Sequence, residues 1–136
     1  MKNILNTELH QRFYQNLGRL FYAVAAADKI VRKEEVDTLK EVVGKEWLEE
    51  DHIKDDFGTD SAFQIEIVFD WLDANKPEAE EAFDRFADFY REHKELFNSN
   101  IKEKILTACR EIASAFRGKN KSELVMLAKL ETLFNH

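Results

Sequence analysis

The stretch Pro77-Glu78-Ala79-Glu80-Glu81-Ala82-Phe83-Asp84-Arg85-Phe86-Ala87-Asp88-Phe89-Tyr90 decides the fold class. Its apolar residues Ala79, Ala82, Phe83, Phe86, Phe89 and Tyr90 recur at spacings of three and four, which is one face of an α-helix, and Phe97 continues the set. Glu78, Glu80 and Glu81 stand in its first turn, where the helix dipole favours carboxylates. Pro77 suits the first helical position, where a backbone N–H is not needed.

The same period repeats on both sides of this segment. Upstream, Leu9, Phe13, Leu17, Leu20, Phe21 and Val24 predict a helix from about Thr7 to Ala27. After a break at Asp28 to Arg32, Val36, Leu39, Val42 and Val43 predict a shorter one that ends at Gly44, with Trp47 and Leu48 as an added apolar lid. Residues Glu49 to Asp60 read as a polar connection. Thr59 or Asp60 then caps a helix whose apolar set is Phe63, Ile67, Val68, Trp71 and Leu72, ending near Asn75. Downstream, Asn98 or Ser99 opens a helix with Ile101, Ile105, Cys109, Ile112 and Ala115. Asn120 and Glu123 have the spacing of a capping box before Leu124, Leu127, Leu130 and Phe134. The expectation is an all-α fold: a single-domain bundle of about six helices spanning 1–136.

Composition agrees. Four glycines and one proline in 136 residues leave little turn chemistry for a many-stranded sheet. The one cysteine, Cys109, forms no internal bridge and supplies no paired thiolates, so the reducing cytosol is the expected compartment. It falls on an apolar helical stripe and reads as a buried structural thiol. No apolar run reaches the length of a membrane span, and the N-terminus lacks the apolar stretch of a secretion signal.

Twenty basic against 27 acidic residues give a net charge of −7, which argues against nucleic acid as partner. The charge is uneven. Glu46 to Asp88 holds 15 acids and three bases, so the flanks are net basic and the molecule is dipolar.

Sliding the chain on itself by 88 positions superposes Leu17 on Ile105, Val24 on Ile112, Ala25 on Ala113, Glu35 on Glu123, Val36 on Leu124, Leu39 on Leu127 and Val42 on Leu130. The offset pairs two helix hairpins and predicts equivalent burial in each. The first hairpin loop reads Ala27-Asp28-Lys29-Ile30-Val31-Arg32-Lys33-Glu34-Glu35. An apolar helix ending in Ala-Asp, with Glu opening the next helix seven residues after the Asp, resembles the signature of the tellurite-resistance TerB-like domains, A-D-G-x-I/V-S-x-x-E. The resemblance covers the two hairpins, and the segment between them only in its helical character. It implies a compact helical bundle, cation binding by loop and helix carboxylates, cytoplasmic or membrane-peripheral placement through a partner, and a role in stress-response assemblies. Lys29 stands where the family has glycine, Arg32 where it has the capping serine, and Phe116 replaces the Asp in the second hairpin. Any divalent cation, such as Ca²⁺, is therefore expected to bind weakly.

Asp28, Glu34 and Glu35 are the candidate metal ligands. Asp28 either folds over to cap the second helix or offers oxygen, with Glu34 or Glu35, to a hard cation. Glu49 and His52 form the one E-x-x-H arrangement in the chain, whereas carboxylate-bridged di-metal bundles use two. With Asp51, Asp55, Asp56 and Asp60 they form an acidic middle segment, the basis of an alternative reading as a carboxylate-based metal-dependent enzyme. The chain lacks a G-x-S-x-G motif and a phosphate-binding glycine loop. Trp47 and Phe57, aromatic residues in polar surroundings, are candidate exposed contacts. The leading expectation is a non-catalytic TerB-like domain without catalytic residues, working through a protein partner or as a homo-oligomer.

Overall fold

The computed structural model describes residues 4–28, 31, 33–43, 58–115 and 121–135. They form six α-helices and no strand: α1 (Ile4–Ala25), α2 (Lys33–Val42), α3 (Gly58–Asn75), α4 (Ala79–Glu92), α5 (Ser99–Ser114) and α6 (Lys121–Phe134). A 3-10 turn at Lys94–Leu96 joins α4 to α5.

Helix α1 is the centre, and it packs against all five others. Leu17, Leu20, Phe21, Ala23, Val24 and Ala25 lose all contact with water, so its last turn and a half is buried on every side. That end is apolar all round, whereas Arg12, Gln15 and Arg19 keep one polar face toward solvent further up the helix. Gly18 is required by this packing. A Cβ built there would stand 2.7 Å from the carbonyl oxygen of Ile65 and 3.0 Å from Val68 Cβ, so α1 and α3 approach backbone to backbone.

Helices α3 and α4 each pack along α1 with little contact between them, while α2 packs on α5 and α6 on both α5 and α1. The two hairpins are thus packed on each other, α2 on α5 and α6 on α1. Leu17 and Ile105, Val24 and Ile112, Ala25 and Ala113, and Val42 and Leu130 are buried in pairs. The remaining pairs match less well: Leu39 is buried but Leu127 only half-buried, and Val36 is half-buried whereas Leu124 is 47% exposed. The expectation of burial at Leu124 is therefore corrected. Helix α6 turns Met126, Leu130, Leu133 and Phe134 inward instead, which moves its stripe away from Leu124.

A larger correction concerns α3. The expected core set was Phe63, Ile67, Val68, Trp71 and Leu72, yet Phe63, Ile67 and Trp71 are 41%, 56% and 63% exposed. Of the expected set Leu72 is buried and Val68 half-buried, while Ile65 and Phe69 take the inward places, so that the buried stripe is Ile65, Phe69 and Leu72, at spacings of four and three. Both faces of α3 are apolar, and the one beside the Gly18 contact is the one that α1 takes. The cap expectation also shifts: Thr59 and Asp60 lie inside the first turn, because α3 begins at Gly58. At its other end Asn75 Nδ2 donates to Trp71 O at 2.7 Å. Lys76, at φ 53°, turns the chain left-handed before Pro77 stops any continuation.

Pro77 precedes α4 by two residues rather than opening it, and Phe97 reaches the core through the 3-10 turn rather than on the helix. Tyr22 Oη of α1 donates to Pro77 O at 2.8 Å and fixes this joint. Burial, followed by the carboxylates of Asp73 and Glu78, raises the Tyr22 phenol above its ordinary value and keeps that donor protonated. Phe97 sits among rings, 5.1 Å from Tyr90, 5.4 Å from Phe13 and 5.9 Å from Phe86 between centroids. Phe134 of α6 adds to the cluster at 5.2 Å from Tyr90. Aromatic pairs of this kind, edge-to-face at Phe86–Phe97 and Tyr90–Phe97 and tilted in the other two, contribute about 0.5–1.5 kcal/mol each beyond area burial.

The expected cap on α5 is observed, with Asn98 Oδ1 accepting from Ile101 N at 2.9 Å. Cys109 is fully buried, and burial pushes its thiol far above the ordinary range, as befits a packing residue. Trp47, Leu48, Phe57, Phe116 and Asn120 lie outside the described residues.

Because Phe86 is wholly buried and packs against the rings of Phe97 and of Phe134 of α6, Phe86→Ala is expected to destabilise by about 3–5 kcal/mol in chemical denaturation. A loss below about 1 kcal/mol would place the aromatic cluster outside the stabilising core.

Candidate functional site

Two regions carry polar chemistry or unpartnered apolar surface: the α1–α2 turn with its acids, and the outer side of α3 beside α4.

Helix α1 ends at Ala25, and Ala26 and Ala27 still donate to Tyr22 O and Val24 O at 2.8 and 3.3 Å. Asp28 therefore lies three residues beyond the helix, half-buried in the turn rather than on its last carbonyls. Glu34 and Glu35 occupy the first turn of α2, where the helix dipole favours them. Their environments differ: Glu34 is exposed, and Glu35 has no accessible surface. Adjacent helical residues point about 100° apart, so these two carboxylates do not face one point. Among the described residues no group of three or more His, Cys, Asp or Glu side chains is placed to hold a metal ion. Lys29, Ile30 and Arg32 of this loop, with Glu49, Asp51, His52, Asp55 and Asp56 of the acidic middle segment, lie outside the described residues.

The second hairpin repeats the feature. Glu123, 88 residues after Glu35, opens α6 and is 1% exposed. Buried glutamates are rare unless paired, and helical periodicity does not place two of them at equivalent positions. Asp28, Glu35 and Glu123 each have a hydrogen-bonding or electrostatic partner in the structure. The sequence offset aligns the two glutamates, but nothing in the sequence marks either one as buried.

The α1–α2 turn borders a cleft of about 540 Å³, in which Ala27 and Val31 face Lys76, Pro77, Lys121 and Lys129. Lys129 Nζ lies 4.8 Å from the centre of the Phe83 ring. The lining carries three lysines, Lys76, Lys121 and Lys129, against two acids, Glu78 and Glu80.

The α3 face is different in kind. Phe63, Ile67 and Trp71, four residues apart, form an exposed apolar stripe about 12 Å long on a helix whose opposite side is in the core. Ile67 and Trp71 also border a groove of about 450 Å³ floored by Gln15 and Arg19 of α1 and walled on its far side by Glu81, Ala82 and Arg85 of α4. The groove exists because α3 and α4 both lie on α1 without closing on each other. Gln15 Nε2 donates to Gln64 Oε1 across its floor at 3.2 Å.

No family model, curated protein or solved structure matches this chain.

Glu35→Ala and Glu123→Ala are each expected to destabilise by about 2 kcal/mol, by removing a buried side chain and leaving its partner unsatisfied. Paired urea titrations measure this. A loss near zero at either site would break the equivalence of the two hairpin glutamates.

Proposed function

We propose that this chain is a non-catalytic helical interaction domain of TerB-like type, acting through protein contacts made by the outer face of α3. The observation that carries the reading is the exposed stripe Phe63, Ile67 and Trp71. Single exposed apolar residues are ordinary, but an aligned set including a tryptophan, bordering a groove, is the signature of a surface that a partner covers.

The TerB-like resemblance adds a second element: weak divalent-cation binding at the α1–α2 turn through Asp28, with Glu34 or Glu35. Two supports are the carboxylates clustered within eight residues of chain and the burial of Glu35 at the start of α2. The stress-response setting and cytoplasmic placement of that family complete the proposal.

The contact reading is tested by capture of cellular partners with the full chain and with Ile67→Ser/Trp71→Ser. Both residues are more than half exposed, so the double variant should melt within about 2 °C of wild type. Partners retained by wild type are expected to be lost by the variant. Their full retention would remove the α3 face from the function.

The cation element predicts that millimolar Ca²⁺ raises the thermal midpoint by about 1–3 °C, since a ligand near its dissociation constant stabilises by about 0.4 kcal/mol. Asp28→Asn should abolish that shift. Loss of stability in Asp28→Asn with no Ca²⁺ effect in wild type would leave Asp28 as a structural residue alone.

A further inference from the structure

The groove beside the α3 stripe carries two arginines, Arg19 and Arg85, against one acid, Glu81, in a protein whose net charge is −7. Arg19 rises from its floor and Arg85 from its α4 wall, and the groove continues along α1 to Arg12. Among the described residues none of the three makes an ion pair with a carboxylate. Arg19 Nη1 donates to Asn16 Oδ1 at 3.1 Å, and the Arg12 guanidinium lies 5.4 Å from the centre of the Phe89 ring. Burial, and then the charges of Arg85 and Arg12, pull the Arg19 guanidinium below its ordinary value, so the three cations repel one another where they stand. The acids along the same surface are Glu81, Asp88 and Glu92, all exposed, with Asp88 held by Arg91 at 3.4 Å.

Resting on the reading of the α3 face as a protein-contact surface, we propose that its partner is an acidic amphipathic helix. Its apolar side lies on Ile67, Val68 and Trp71, and its carboxylates meet Arg19 and Arg85. The slot between two helices that lie on a third is the position a further bundle helix would take. An apolar wall faced by guanidinium groups selects a segment with apolar residues at i, i+4 and i+7 and acids beside them. Guanidinium forks take carboxylates bidentately, which relieves the mutual repulsion of the arginines. A stripe about 12 Å long matches two turns of helix better than a small molecule.

The test uses the full chain and two labelled helical peptides of about 18 residues, with leucine at the apolar positions and either glutamate or lysine elsewhere, followed by fluorescence anisotropy. The glutamate peptide is expected to bind, the lysine peptide not to compete, and about 0.5 M salt to weaken the complex. Arg85→Glu and Trp71→Ala, both at exposed positions, should each weaken binding about tenfold or more with the thermal midpoint unchanged. Equal binding of the two peptides overturns the acidic partner but leaves the contact surface standing. So does binding that Trp71→Ala abolishes and Arg85→Glu leaves intact. Failure of both peptides to bind, with self-association in sedimentation that Trp71→Ala dissolves, assigns the face to a second copy and overturns the proposal. Binding indifferent to Trp71→Ala overturns the proposal and the α3 contact reading together.

Discussion

The backbone-to-backbone contact of α1 with α3 at Gly18 is the constraint from which the rest of the arrangement follows. A central helix touched by five others has little spare surface, so each neighbour must find a seat that the side chains of α1 leave open. At Gly18 the seat has no depth, and any Cβ would meet the Ile65 carbonyl. Glycine inside a helix costs about 1 kcal/mol relative to alanine. The return here is a close approach that drives Ile65, Phe69 and Leu72 fully against α1. It also fixes the rotation of α3 about its own axis. Once Ile65 points at α1, residues 63, 67 and 71 point away from it.

This is why the sequence disclosed the helices so much better than their faces. Five of the six helix starts fall near the expected positions because capping residues and a 3.6-residue period are local properties, visible at Asn98 and in the Phe83, Phe86 and Tyr90 stripe. The side that an element buries is not local when the element is apolar on two sides. On α3 the pattern Phe63, Ile67, Trp71 and the pattern Ile65, Phe69, Leu72 are equally periodic, and the larger ring of Trp71 favours the wrong one. Only the depth of the groove at Gly18 on another helix decides between them. Leu124 fails for a related reason: Met126 and Leu133 carry the inward stripe of α6, and the 88-residue offset transmits alignment but not rotation.

The candidate site shows the same division. Asp28, Glu34 and Glu35 were legible as a motif because they are neighbours in the chain, yet burial separates Glu35 from Glu34. The groove arginines were not legible at all. Arg12 and Arg19 come from α1 and Arg85 from α4, far apart in the chain, and Arg85 lies within the acidic segment Glu46 to Asp88. Net charge, a sum over the whole chain, does not show where arginines from different helices gather.

The two hairpins and the pair between them differ in what they leave unfinished. The hairpins close on each other: α2 lies on α5, α6 on α5 and α1, and each opens its second helix with a buried glutamate. Lys102 Nζ donates to Phe134 O at 3.0 Å, and Arg110 bonds Glu131 at 3.1 Å, so the outer hairpin is also tied at its ends. Helices α3 and α4 have no such reciprocity. Each rests on α1, and little joins one to the other, so the area between them stays open. Helices α3 and α4 hold to α1 through their inner faces and leave apolar and cationic surface on their outer sides, because the core does not need that surface to fold. The unfilled place beside α1 is therefore a property of the packing, and a partner helix would complete the layer that α3 and α4 begin.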